Sequence, residues 1–145
     1  MTWQEPTDLE LREIINSAKN VAVIGASSDT TKPSFMVFNY LKANTKFNLF
    51  PINPKEESVS GVKAYASIKD LPTAIDICVV FRRPEFLPEV LEDVLAVKAK
   101  VLWMQLGIKN EYVAEQATDN GIKVIQDRCI KIEHARLIQD SEQIE

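Results

Sequence analysis

The chain has 145 residues, with 17 basic against 21 acidic side chains and a net charge of −4. That length suits one domain with a proper core. The acidic balance argues against a general nucleic-acid binder, while leaving room for a local basic pocket.

No apolar run approaches the ~20 residues of a membrane span, and Met1–Glu13 is polar and acidic with no apolar signal core. Cys78 and Cys129 form neither a disulfide framework nor a C-x-x-C pair. The chain reads as cytoplasmic. Thr7 or Asp8 caps a helix to about Ala18, with Leu9, Leu11, Ile14 and Ile15 in its stripe. Strands are predicted at 21–25 and 48–52, separated by a helix from Pro33 to Lys42. A short extended piece, Lys63–Ala66, precedes a helical turn capped by Ser67. Ile75–Phe81 is too apolar to have one wet face and is read as a central parallel strand. Pro84–Lys98 reads as a helix, Lys100–Met104 as a strand, and Asn110 as the cap of a helix closing at Asn120-Gly121. Ile122–Gln126 is the last strand and Ile130–Ile138 the terminal helix. A disordered tail is expected after Arg136, from Gln139 to Glu145.

Strands alternating with crossover helices predict a Rossmann-like α/β fold. Its doubly wound parallel sheet has five to six strands and helices on both faces, in a single domain spanning 1–145. In such a sheet, ligands bind outside the carboxyl ends of the strands. The segments following the strands therefore supply the candidate site. They are Gly25, Ala26, Ser27 and Ser28, with Lys32 and Pro33 opening the next helix; Asn53, Pro54 and Lys55; Phe81, Arg82 and Arg83; Gln105 and Gly107; and Arg128 and Cys129. Gly25 marks a turn that aims backbone N–H groups and a helix N-terminus at a phosphate. The turn is neither G-x-G-x-x-G, since Ser27 and Thr30 replace its later glycines, nor a Walker loop. An acidic ribose clamp is missing after the second strand, where Asn53-Pro54-Lys55 would tolerate a phosphorylated ribose. That favours CoA or NADP over NAD. Adjacent Arg82 and Arg83 on extended backbone point apart, so one of them is expected to face solvent or an acidic neighbour. Cys129, beside Arg128 and before a helix, has the electropositive setting that activates a thiol. Cys78 reads as a buried strand thiol, Trp103 and Met104 as core, and His134, the sole histidine, as structural. No metal-ligand cluster and no nucleophile–base–orienter set emerges.

Several segments carry a resemblance. They are Val21–Ser27, Pro51–Lys55, Gly61–Tyr65 and Ser67–Pro72, with Phe81-Arg82-Arg83, Trp103–Gly107 and Asp127–His134 following. In that order they resemble the CoA-binding domain of succinyl-CoA synthetase alpha subunits and ADP-forming acyl-CoA synthetases. The later segments resemble its stand-alone branch. The resemblance implies CoA or an acyl-CoA as ligand, with the pyrophosphate near Gly25–Ser27 and the adenosine end near Asn53. The ligases carry their phosphorylated histidine in a second domain, and His134 does not match it. The expected function is CoA binding without catalysis. The alternatives are a small NADP-type redox or acyl-transfer enzyme using Cys129, and an interaction domain with a vestigial pocket.

Overall fold

A computed structural model describes residues 2–139. Helix α1 (Asp8–Ser17) starts at a capping box: the Glu10 N–H donates to the Thr7 hydroxyl at 3.1 Å and the Thr7 N–H to the Glu10 carboxylate at 3.2 Å. Strand β1 (Asn20–Ile24) leads through the Gly25 turn to α2 (Pro33–Asn44), which Pro33 opens. Then come β2 (Asn48–Ile52), the two-residue strands β3 (Ser58–Val59) and β4 (Val62–Lys63), and β5 (Ile77–Val80). The remaining elements are α3 (Leu87–Val97), β6 (Val101–Met104), α4 (Glu111–Asp119), β7 (Lys123–Ile125) and α5 (Ile130–His134).

Five of these strands form one parallel sheet in the order β2-β1-β5-β6-β7. Every residue of β5 and β6 is buried, as their unbroken apolar runs require. Alternate side chains divide between two cores. Ala22, Cys78, Val80, Leu102 and Met104 face α3 and α4, while Val21, Val23, Ile77, Val79 and Trp103 face α1, α2 and α5. Trp103 is fully enclosed, and its indole N–H donates to the Arg128 carbonyl at 2.8 Å. Removing that ring would cost about 3–5 kcal/mol.

Three expectations are refined or corrected. The extended piece expected at Lys63–Ala66 starts earlier and belongs to a hairpin, in which Val62–Lys63 pairs with Ser58–Val59 across Ser60 and Gly61, both at positive φ, while Tyr65 bridges Ile52 of β2. Two-residue strands are too short to show an alternation in sequence. The terminal helix does not run uniformly to Ile138: it widens after His134 into a π-helical turn over Ala135–Gln139. Disorder does not begin after Arg136 either, since Leu137 and Ile138 are buried; residues 140–145 of the expected tail lie outside the described residues.

At the amino edge, Asp76 accepts the Lys19 and Asn20 backbone N–H groups at 2.9 Å each and pairs with Lys100 at 3.3 Å. Burial pushes its carboxyl pKa up. The two backbone donors and the Lys100 ammonium outweigh that, and the net shift is downward. A carboxyl lowered on folding stabilises above its unfolded pKa, and that contribution fades as pH falls through the folded value. Asp76→Asn is therefore expected to destabilise the protein by roughly 1–2 kcal/mol at pH 7. The gap to wild type should close as pH falls through the lowered Asp76 pKa, as denaturant melts across pH would read.

Candidate functional site

Strand order reverses at β1, whose neighbours β2 and β5 send the chain to opposite sides. Beyond the carboxyl ends of β1 and β5 runs a groove in two connected halves of about 530 Å³ each. Both halves share Gly25, Lys32, Phe81, Arg82 and Arg83. This is the switch-point crevice where ligands of open parallel sheets bind. A larger cavity of about 750 Å³, between α1 and the amino ends of β5 and β6, lies at the opposite edge.

Gly25 has φ +86° and lies against the backbone of Phe81, so that a Cβ here would fall within the contact radius of the Phe81 carbonyl oxygen. Its N–H donates to Ile52 O at 2.9 Å, tying β1 to β2. The loop after it is stitched locally: Asp29 N–H to Ser27 Oγ at 3.0 Å, and Thr31 N–H to the Asp29 carboxylate at 2.9 Å. Lys32 is the N-cap of α2 and supplies no side-chain cap bond; no carboxylate occupies the first turn. That leaves the positive end of a 12-residue helix open at the groove.

Asn53, Pro54 and Lys55 line the half nearest β2. The Asn53 amide is already used, donating to Ala26 O at 2.8 Å and accepting from the Lys55 N–H at 2.9 Å. It holds two loops together, and Lys55 is left as the charged member. Arg82 and Arg83 do not point apart as expected. After β5 the chain turns into a short 3₁₀ helix at Pro84–Phe86, and both guanidinium groups stack on the Phe86 ring, at 4.3 and 5.3 Å from its centroid. Arg83 also pairs with exposed Glu85 at 3.3 Å, so one of the two does meet the acidic neighbour expected of it.

Pro33, Gln105 and Cys129 line the other half. Five of the sixteen anticipated residues are absent from the lining of both halves. Ala26 is fully buried, Ser27 closes its own loop, and Ser28 turns its hydroxyl to Ser58 O at 3.1 Å. The Gly107 N–H donates to the Asp127 carboxylate at 2.6 Å. Arg128 binds Glu5 at 2.8 Å and Glu133 at 2.9 Å, so its charge is neutralised and the expected electropositive partner of Cys129 is lost. Cys129 Sγ has no hydrogen-bonded base among the described residues. His134 bonds through Nδ1 to the Tyr40 hydroxyl at 2.8 Å, away from the groove.

Sequence reasoning missed Ser34, Ile108 and Ile132 in the lining, and Glu56 beside it. The Glu56 carboxylate accepts the Ser28 N–H, placing an anion on the very turn expected to bind one. For the thiols the contrast is sharp: burial, helped by Asp93, pushes Cys78 up to about 12, whereas Cys129 is half-buried at the groove. A small thiol reagent should therefore modify Cys129 alone in the native protein. Labelling of Cys78 should appear only on unfolding, as peptide mass spectrometry would record.

Sheet order and groove define a Rossmann-like α/β domain with a ligand crevice at its switch point. The profile of the CoA binding domain family matches residues 19–135, and the chain belongs to that family. It is similar to YneT of Bacillus subtilis (strain 168), at 39% identity over 132 residues, covering 91% of this chain and 97% of that protein. It also resembles the ADP-forming acetate–CoA ligase of Methanocaldococcus jannaschii, at 32% identity over 86% of this chain but only 19% of the ligase. Against the alpha subunit of the ADP-forming acetate–CoA ligase II of Pyrococcus furiosus, identity is 38% over 50% of this chain and 16% of the subunit. The chain thus spans under a fifth of these ligase relatives. Among solved structures, ID.343 from Thermus thermophilus superposes with a TM-score of 0.87 at 37% identity, covering 92% of this chain and all of that one. A redesigned-for-binding form of PH1109 gives 0.88 at 31% identity, covering 93% and 94%. Among the described residues no helix is long and apolar enough to cross a membrane, and no cluster of three or more metal-ligating side chains occurs.

Proposed function

We propose that the chain is a single CoA-binding domain that holds coenzyme A, or an acyl-CoA, along the two-part groove and performs no chemistry of its own. The observation that carries this is the shared middle of the groove, where Lys32, Arg82 and Arg83 surround the open N-terminus of α2. A diphosphate needs cations beside a helix N-terminus, and here the Ser34 N–H in the first turn of α2 adds a backbone donor to them. The β2 side, with Lys55 and the hydrogen-bonded Asn53 turn, suits a phosphorylated ribose and its base. The more apolar side suits the pantetheine arm. Among the described residues none pairs with Cys129 in the way a base activates a nucleophile, which weighs against the acyl-transfer alternative. Two free cysteines in a chain of this kind fit the cytoplasm.

Titration calorimetry with CoA, dephospho-CoA and NAD tests the reading. CoA should bind more tightly than dephospho-CoA, because the 3′-phosphate adds charge opposite Lys55, and NAD should bind poorly. Equal affinity for CoA and NAD overturns it.

A further inference from the structure

The geometry points to a ligand finer than CoA: the apolar half of the groove selects an acyl-CoA whose acyl group is short and uncharged, with the Gln105 side chain holding the thioester carbonyl. This rests on the reading of the groove as a CoA site. Gln105 follows β6 and is only 3% exposed. Its Oε1 accepts the Ile130 N–H at 3.1 Å, which fixes the two ends of the amide and makes the other end Nε2. That Nε2 donates to no described residue. It differs from Gln126 Nε2, which is both unpartnered and sealed from solvent. Gln105 Nε2 keeps contact with open space, and the space that Gln105 lines is the groove. A nearly buried amide donor, held in place at one end and unpaired at the other, is built for a carbonyl oxygen.

The surroundings of this donor narrow the ligand. Pro33, Val37, Phe81 and Ile108 line the same half. At its mouth stand Leu106, 66% exposed, and Ile132, 55% exposed, on segments after β6 and within α5. Free CoA ends in a thiol, a weak acceptor, and leaves both side chains wet. A thioester brings the carbonyl that Nε2 lacks and a chain that covers the mouth. The cations that line this half, Lys32, Arg82 and Arg83, are the ones the diphosphate takes up, so a carboxylate on that chain would be stripped of water with no further cation to receive it.

The test compares, on the wild-type protein, CoA, acetyl-CoA, butyryl-CoA, succinyl-CoA and S-butyl-CoA, a thioether with no carbonyl. Butyryl-CoA should bind roughly tenfold more tightly than acetyl-CoA, the gain from burying two methylenes. It should also exceed succinyl-CoA and S-butyl-CoA. Gln105→Glu keeps an oxygen for the Ile130 N–H but loses the donor, and should erase the preference for butyryl-CoA over S-butyl-CoA. Leu106→Ser with Ile132→Ser, both on exposed side chains, should erase the preference for butyryl-CoA over acetyl-CoA. If Gln105→Glu fails to fold, the wild-type comparison of thioester with thioether still decides. CoA binding with all acyl forms equal overturns this inference and leaves the CoA reading standing. Absence of CoA binding overturns both.

Discussion

Gly25→Val should melt roughly 10 °C below wild type, as a loss of about 3 kcal/mol in a domain of this size implies. Two costs combine. A β-branched residue must adopt φ near +86°, and its Cβ must displace the Phe81 carbonyl, which is backbone and has nowhere cheap to go. With the pyrophosphate near Gly25–Ser27, as the family resemblance implies, the variant would instead fold and lose its ligand. The structure locates the close approach between two strand ends, so stability and binding should fall together. Differential scanning calorimetry beside CoA titration separates the two. An unchanged melting temperature with binding abolished would restore the phosphate-contact explanation.

Arg82→Ala should weaken CoA by about 10- to 100-fold, the range for losing a hydrogen bond between a cation and a phosphate. The loss should shrink as salt rises, because the groove is open to solvent. Arg128→Ala is the contrast. Its guanidinium is held by Glu5 and the buried Glu133, so its removal should lower stability and leave affinity near wild type. Sequence position made these arginines equivalent, each following a strand at the ligand edge. Affinity loss in Arg128→Ala with Arg82→Ala unaffected would reverse the assignment.

The layered fold was legible because its signals are local. Cys78-Val79-Val80 and Leu102-Trp103-Met104 admit no wet face, so a sheet covered on both sides follows from composition. Thr7, Ser67 and Asn110 each accept the backbone N–H that capping chemistry assigns to them. The groove was legible only in outline. Gly25, Lys32, Phe81, Arg82 and Gln105 follow from knowing where strands end. That Arg82 and Arg83 converge depends on a 3₁₀ turn placing one Phe86 ring under both. That Arg128 turns away depends on Glu5, 123 positions earlier. Ile132 reads as an ordinary apolar residue until α5 brings it to the mouth beside Leu106. Side-chain destinations set by distant partners leave no trace in local pattern.

The bonds from Arg128 to Glu5 and from Arg136 to Asp8 join two segments more than 120 residues apart, as does the Trp3 indole donating to Val124 O at 2.8 Å. Each such contact closes almost the whole described chain into a loop, and it returns its free energy only after that closure entropy has been met. Helix α1 buries Leu11, Ile14 and Ile15 in the core it shares with β1, β5 and β6, and the rest of its docking surface, α5 and the turn after it, comes from the far end of the described chain. Its capping box organises segment 3–17 locally, and the long-range bonds clasp that segment only where both ends of the described chain are folded. Contact order of this kind makes folding slow relative to stability, because the bonds that fasten this edge of the molecule are those whose partners lie farthest apart in sequence.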